Sequence, residues 1–390
     1  MRVTPAPLQR ALAVLLLTLV SAGAVRSAET TTPGGANAPQ ATPAPVTPPA
    51  PAEKPPLPTW HVTPDITFVP GLRVQGRYIH NDVQDHRFIV QRFRLKGSGA
   101  AYGIARYGAE MKIDNTGSSG NTTAQVENAW LEIGTSPNLN LRAGLYDLPF
   151  SRVALTSDSK LLLMDRGLTK DAMTAQGLAD NTIGALLHGR PCGGRFEYGA
   201  GLFQNVKFNE FPMPAARVAV NLLDPAPAGG YGDYRGSYNA QGRRLALGAN
   251  TAYASNVQDG LNEYDLLGWG VDLFSNLGPV TLQAEYDRFS KDMSGAMPDV
   301  HTNGWYVQAG SVLPLEHLEP PSWLPQLELV ARYEDLHDDV VNDRFQWVTV
   351  GLNLYIRSHN LKLQTEYTMK RDGATPIGND LIQVQLQLDF

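Results

Sequence analysis

Three cations stand two residues apart in the stretch "FIVQRFRLKG": Arg92, Arg94 and Lys96. In extended backbone this spacing puts all three on one face, about 6–7 Å apart. Arg73, Arg77, Arg106 and Arg142 recur in the same way, interleaved with apolar neighbours such as Leu72, Val74 and Tyr78. Further along, acids take that register: Asp272, Glu285, Glu328, Glu334 and Glu366, against Arg332 and Lys362. Side chains of this kind hold and steer ions. Two readings of the Arg92–Arg94–Lys96 row stand side by side. It is a ladder of anion sites, or a set of solvated cations paired with acids on neighbouring strands.

Catalytic chemistry finds little support. The histidines are His61, His80, His86, His188, His301, His317, His337 and His359, and none stands at a recognisable spacing from a nucleophile or a second ligand. The single cysteine, Cys192, lies in the turn "GRPCGGRF" and has no partner for a disulfide. The sequence therefore predicts no enzyme, no metal and no cofactor.

The elements that carry these charges are strands. From Gly71 on, sixteen alternating segments of eight to thirteen residues follow one another, from "GLRVQGRYIH" to "LIQVQLQLDF", each separated by a polar break. Charges stay on one register and apolar side chains on the other. A cation on a lipid-facing register at mid-bilayer would cost about 2–4 kcal/mol, and that register is kept clear of them. An even strand count, ten-residue strands and this segregation predict an all-β fold: a transmembrane antiparallel β-barrel of about 16 strands. Apolar-register tyrosines Tyr286, Tyr333 and Tyr367 fall at the outer interface, where amphipathic rings are favoured. Closure pairs the last strand with the first and leaves no edge.

The start of the chain fits export. Arg2 and Arg10 precede the short apolar run "ALAVLLLTLV", and small residues follow, so residues 1–28 read as a cleaved signal peptide. Residues 29–59 are Pro-, Ala- and Thr-rich and read as a periplasmic linker; residues 60–390 form the barrel. The formal charge of −6 becomes −9 once residues 1–28, with three arginines and no acid, are removed. That balance argues against nucleic acid as a partner.

One connection breaks the pattern. "YDLPFSRVALTSDSKLLLMDRGLTKDAMTAQGLADN" lacks alternation, and connections of this length usually have a task. Its charges are balanced: Arg152, Lys160, Arg166 and Lys170 against acids that include Asp158 and Asp165. The turns "SNLGP" and "RSHN" are short, as the periplasmic side requires. "DPAPAGGYGDYRGSYNAQG" and "PLEHLEPPSWLP" fall on that same side and are too long for the rule.

Several segments resemble the phosphate-selective porins of the outer membrane, types O and P. They are "LRAGLYDLPFS", "LTSDS…MDRG", "FEYGAGLFQN", "LELVARYEDL" and "VGLNLYIRSHNLKLQTEYTM". The resemblance runs from about Leu72 to Phe390. It implies a sixteen-stranded homotrimeric barrel whose third outer loop folds into the lumen and which passes small anions such as phosphate. The resemblance also implies the Gram-negative outer membrane and its lipid, which the basic start and short apolar run reach by Sec export. The acidic loop "YEDLHDDVVND", with Asp335, Asp338 and Asp339, reads either as a divalent-cation bridge to lipopolysaccharide or as a solvated loop tip. A terminal Phe390 with Leu388 and Leu386 before it resembles the signal read by the barrel-assembly machinery. The basic strands one to three and five then face acidic strands ten to fifteen across the lumen, giving a transverse field and mild anion preference. A weakly selective general porin and a non-conducting anchor or adhesin are the alternatives.

Overall fold

In the computed structural model the described residues are 58–81, 85–116, 124–178, 181–204, 212–225, 231–260, 262–295, 298–314, 326–339, 342–373 and 380–390. The expected signal peptide and almost all of the expected linker lie outside them. A short strand, β1 (Trp60–Thr63), folds back on the start of the next one, with Trp60 opposite Phe68. Sixteen barrel strands follow: β2 (Ile66–Asn81), β3 (Asp85–Ala101), β4 (Ala105–Thr116), β5 (Gln125–Ser136), β6 (Leu139–Asp147), β7 (Asn181–Gly189), β8 (Phe196–Phe203) and β9 (Met213–Asn221) make one half. The other half is β10 (Arg243–Asp259), β11 (Asn262–Leu277), β12 (Val280–Met293), β13 (Val300–Val312), β14 (Gln326–Asp338), β15 (Asp343–Arg357), β16 (Leu361–Asp372) and β17 (Leu381–Asp389).

Each barrel strand pairs antiparallel with the next in sequence, and β17 pairs with β2, Leu381 opposite Asn81 and Asp389 opposite Arg73. The sheet is closed and every expected strand is present. Two strands run well past their alternating cores: β2 begins at Ile66 rather than Gly71, and β3 carries on through "GSGAA".

The side chains are distributed inside out relative to a protein folded in water. Leu95, Met111, Leu141, Ile183, Leu202, Val271, Leu329 and Leu386 stand exposed on the outer wall, whereas Gln75, Gln385 and Gln387 are completely buried inside. An apolar belt around a polar interior suits a wall bathed in hydrocarbon. Leu386, Leu388 and Phe390 all lie on this outer face. On β12 and β14 the belt ends at aromatic residues. The outward residues that follow Tyr286 are Arg288 and Ser290, and those that follow Tyr333 are Asp335 and His337. Trp269 and Tyr286 are 5.6 Å apart, Trp305 and Tyr333 5.3 Å apart, and Trp305 sits opposite Tyr286 in the ladder. Tyr367, on the outer face of β16, bonds to Asp380.

The inner face is largely polar, with apolar patches under the inward loop. Ala252, Ala254, Val257, Tyr264, Leu266 and Phe289, from β10, β11 and β12, form an apolar seat inside the barrel. Phe150, Met173 and Leu178 of the long connection after β6 pack onto it. Burial of three such side chains, each contributing about 1.5–3 kcal/mol, draws that connection into the lumen.

Candidate functional site

The connection between β6 and β7 enters the barrel as a chain of short pieces: a helical turn Arg152–Leu155, a 3₁₀ turn Asp158–Lys160, an extended stretch, and a helix Leu168–Ala175. Ser151 caps the first turn, its hydroxyl accepting from the Ala154 amide at 3.2 Å. Gly167 precedes the helix with a φ of +86°, and a Cβ there would collide with the Glu334 carboxylate.

The acidic wall serves as the dock for this loop. Glu285 accepts from the amides of Arg152 and Val153 at 3.0 and 3.2 Å, and Glu334 accepts from the Leu168 amide at 2.9 Å. Both carboxylates thus satisfy amides at a helix start, where negative charge is favoured. Glu366 accepts from the Met164 amide. Asp272 lies between two buried guanidiniums, Arg152 Nε at 2.6 Å and Arg217 Nη2 at 2.6 Å. Glu328 accepts from Ser237 Oγ at 2.8 Å and Tyr355 Oη at 2.6 Å. The acids expected to face the basic wall across the lumen are therefore engaged rather than open. These acids are bound to backbone amides, arginines and hydroxyls, because a buried carboxylate needs donors close by.

The basic wall behaves differently. Arg92 Nε lies 3.0 Å from Asp158, Arg73 Nη1 3.7 Å and Arg94 Nη2 3.9 Å from the same carboxylate, which also pairs with Arg166. Burial alone would raise the pKa of Asp158. Arg166, Arg92, Arg73 and Arg94 outweigh that and hold its carboxyl well below the usual carboxylate range. Arg94 also meets Glu110 at 3.1 Å and Glu127 at 2.9 Å, and Lys112 meets Glu127. Lys96 and Arg73 meet Asp389 at 2.5 and 3.4 Å. Arg77 holds Asp165 at 2.9 Å. So the row Arg92–Arg94–Lys96 faces inward as a ladder, and each member of it has a carboxylate partner.

Arg106 and Arg142 form a second group nearer the end that carries the termini. Both pair with Glu132, and Glu132 Oε2 is also 2.8 Å from His188 Nε2. Of the remaining loop cations, Lys160 pairs with Asp233, and Lys170 lies on the helix Leu168–Ala175.

Between the loop and the β3–β7 wall a cavity of about 530 Å³ stays open. Arg73, Arg94, Lys112, Arg166 and Lys170 line it, against Glu110, Glu127, Asp147, Asp158 and Asp233. Among the described residues, the ion-pair network around Asp158, Glu110, Glu127 and Asp389 holds six cations, Arg73, Arg92, Arg94, Lys96, Lys112 and Arg166, to those four carboxylates. The excess is positive and small.

Sequence reasoning missed Arg217, whose side chain is almost completely buried against Asp272 and Tyr234. Its place in "ARVAVNLL", the one charge in an apolar run, was the available signal. It also missed Tyr234, Ser237 and His359, since nothing in a turn's composition says that the turn folds inward.

A family model described as phosphate-selective porin O and P matches residues 72–390. An uncharacterized protein of Aquifex aeolicus (strain VF5) is 28% identical over 255 residues, 57% of each chain, so this chain spans little more than half of that relative's length. Among solved structures, an anion-selective porin from Comamonas acidovorans superposes with a TM-score of 0.55 at 13% identity, covering 84% of this chain and all of that one. The trimer form of OmpT from Vibrio cholerae gives 0.57 at 10% identity, covering 84% and 100%. Salmonella typhi OmpF in complex with daunomycin gives 0.57 at 11%, covering 83% and 98%. At these identities the likeness is one of fold.

Proposed function

The chain belongs to the phosphate-selective porin O and P family, and from its lumen we infer that it passes small hydrophilic solutes through the outer membrane with a mild preference for anions. It is an outer-membrane porin, a channel by family and fold. The observation that supports the anion preference is the small cationic excess of the network beside the cavity: Arg73, Arg92, Arg94, Lys96, Lys112 and Arg166 against Asp158, Glu110, Glu127 and Asp389. Field and diameter decide selectivity in a pore, and all six of these cations are already partnered, so the preference is weak rather than exclusive. Phosphate is one anion of suitable size. The trimer form of OmpT supports a homotrimer, and the basic, apolar start of residues 1–28 supports export through the Sec pathway.

Purified protein in a planar bilayer tests this. A salt gradient should give a reversal potential of anion-selective sign, and added phosphate should reduce chloride current. A cation-selective sign removes the anion preference. An absence of any current favours the non-conducting anchor.

A further inference from the structure

β9 and β10 are hydrogen-bonded neighbours, so a hairpin turn of about two to five residues would join them. The chain instead runs from Leu222 to Gly242, on the end that carries the termini. The described part, Tyr231–Gln241, is not a surface loop: Tyr234 is 5% and Ser237 1% exposed. The Tyr234 ring lies under the Arg152 guanidinium at 4.3 Å. The Gly236 amide donates to the Lys160 carbonyl at 2.8 Å, and the Lys160 ammonium pairs with Asp233. Ser237 donates to Glu328 at 2.8 Å, and its carbonyl accepts from His359 Nε2 at 2.9 Å. Arg244 stacks on the Tyr238 ring at 4.1 Å.

The segment is therefore bound on one side to the inward loop and on the other to the barrel wall. Gly236 is what allows the first contact: a Cβ there would lie 2.4 Å from the Leu162 amide nitrogen, so two backbones meet where a side chain has no room. Beyond that contact, Tyr231, Gly232 and Asp233 turn to the cavity and line it together with Asp158 and Arg166.

We propose that residues 231–241 are a second constriction element. They enter from the end that carries the termini, and Tyr231 and Asp233 set the size and charge of the passage on that side. The resemblance pointed to the third outer loop; here that loop and residues 231–241 form one bound unit. This rests on the porin reading, and its test separates the two.

Two variants of the full chain are compared with wild type in planar bilayers. The first deletes Tyr231–Ala240, which leaves ample chain to join β9 to β10. The second is Asp233→Cys in a Cys192→Ser background, treated with an anionic methanethiosulfonate while labelling is followed by mass. The deletion should raise single-channel conductance by about twofold or more, and labelling at position 233 should lower it by about half. A folded deletion variant with wild-type conductance overturns the proposal. So does a labelled Asp233→Cys channel with unchanged current, or a position 233 that resists labelling in the folded barrel. If the deletion variant does not fold, the cysteine variant decides alone. A silent wild type with a conducting deletion variant makes the segment a complete plug. Silence in both removes the porin reading together with this one.

Discussion

The backbones of Leu72 and Phe390 exchange two hydrogen bonds, each 2.9 Å long, and these are the last rungs of the seam that closes the barrel. The neighbouring Asp389 turns inward to Lys96 and Arg73, while the Phe390 ring stays on the outer wall. The chain's final residues thus finish the wall and anchor the basic ladder together.

Deleting Phe390 removes both rungs and reopens an edge beside Leu72. At about 0.5–1.5 kcal/mol per bond the direct loss is roughly 1–3 kcal/mol. The expected result is a lower urea midpoint and a smaller heat-modifiable folded fraction on cold gels. An unchanged folded fraction in membranes would also remove the assembly-signal role suggested for Phe390, Leu388 and Leu386.

Asp158→Asn takes away the carboxylate on which Arg73, Arg92, Arg94 and Arg166 converge. Four guanidiniums then lose a shared counter-charge beside the cavity. Breaking a buried ion cluster from one side typically costs about 3–5 kcal/mol, so stability should fall. The reversal potential should move further toward anions. Selectivity equal to wild type in a folded variant would mean that ions do not pass this group.

His359 should make stability depend on pH. It lies buried in the β15–β16 turn, donates to the Ser237 carbonyl and stacks edge-on to Tyr355. Burial, then the nearby Lys362, and more weakly Arg235 and Lys160, push its pKa down to about 3. The folded state therefore keeps the ring neutral. Above about pH 6.5 neither state binds the proton and nothing is lost. As pH falls below that value the unfolded chain takes up a proton that the folded one refuses, and stability drops by about 1.4 kcal/mol per unit until pH nears the folded value. Urea titrations at pH 7.5 and pH 5 should show the loss, and His359→Gln should flatten it by about one proton. An identical pH slope in the variant would count against the assignment.

The strands were legible because the wall has only two sides, and a two-residue period states which residue takes which side. The ambiguous pair Leu266–Leu267 shows the limit: one leucine is completely buried under the loop and the other is exposed on the wall, as alternation demands, yet nothing nearby says that the inside is apolar there. The acids Glu285, Glu334 and Glu366 were located on the inner face from sequence, but not their partners, which are loop amides more than a hundred residues away. The two long turns read as exceptions to a rule. One of them, before β10, has its reason in Gly236 and Tyr234, which only a tertiary contact reveals.

The outer wall itself is open to a direct test. Val271 is mid-strand on β11, 48% exposed, beside Tyr286 and Ala249. In water an arginine at such a position would be harmless, since surface substitutions seldom exceed about 0.5 kcal/mol. Facing hydrocarbon just inside the Trp269–Tyr286 band it should cost about 1–3 kcal/mol, because the penalty of about 2–4 kcal/mol at mid-bilayer fades toward the interface. Val271→Arg is therefore expected to lower the folding free energy in lipid vesicles by about 1–3 kcal/mol. The same substitution at Glu263, exposed at the start of β11 near the rim, should change it little, because the depth penalty fades toward the interface. Equal stability for both variants would show that the exposed apolar belt does not face lipid, and would undo the membrane reading from which the rest follows.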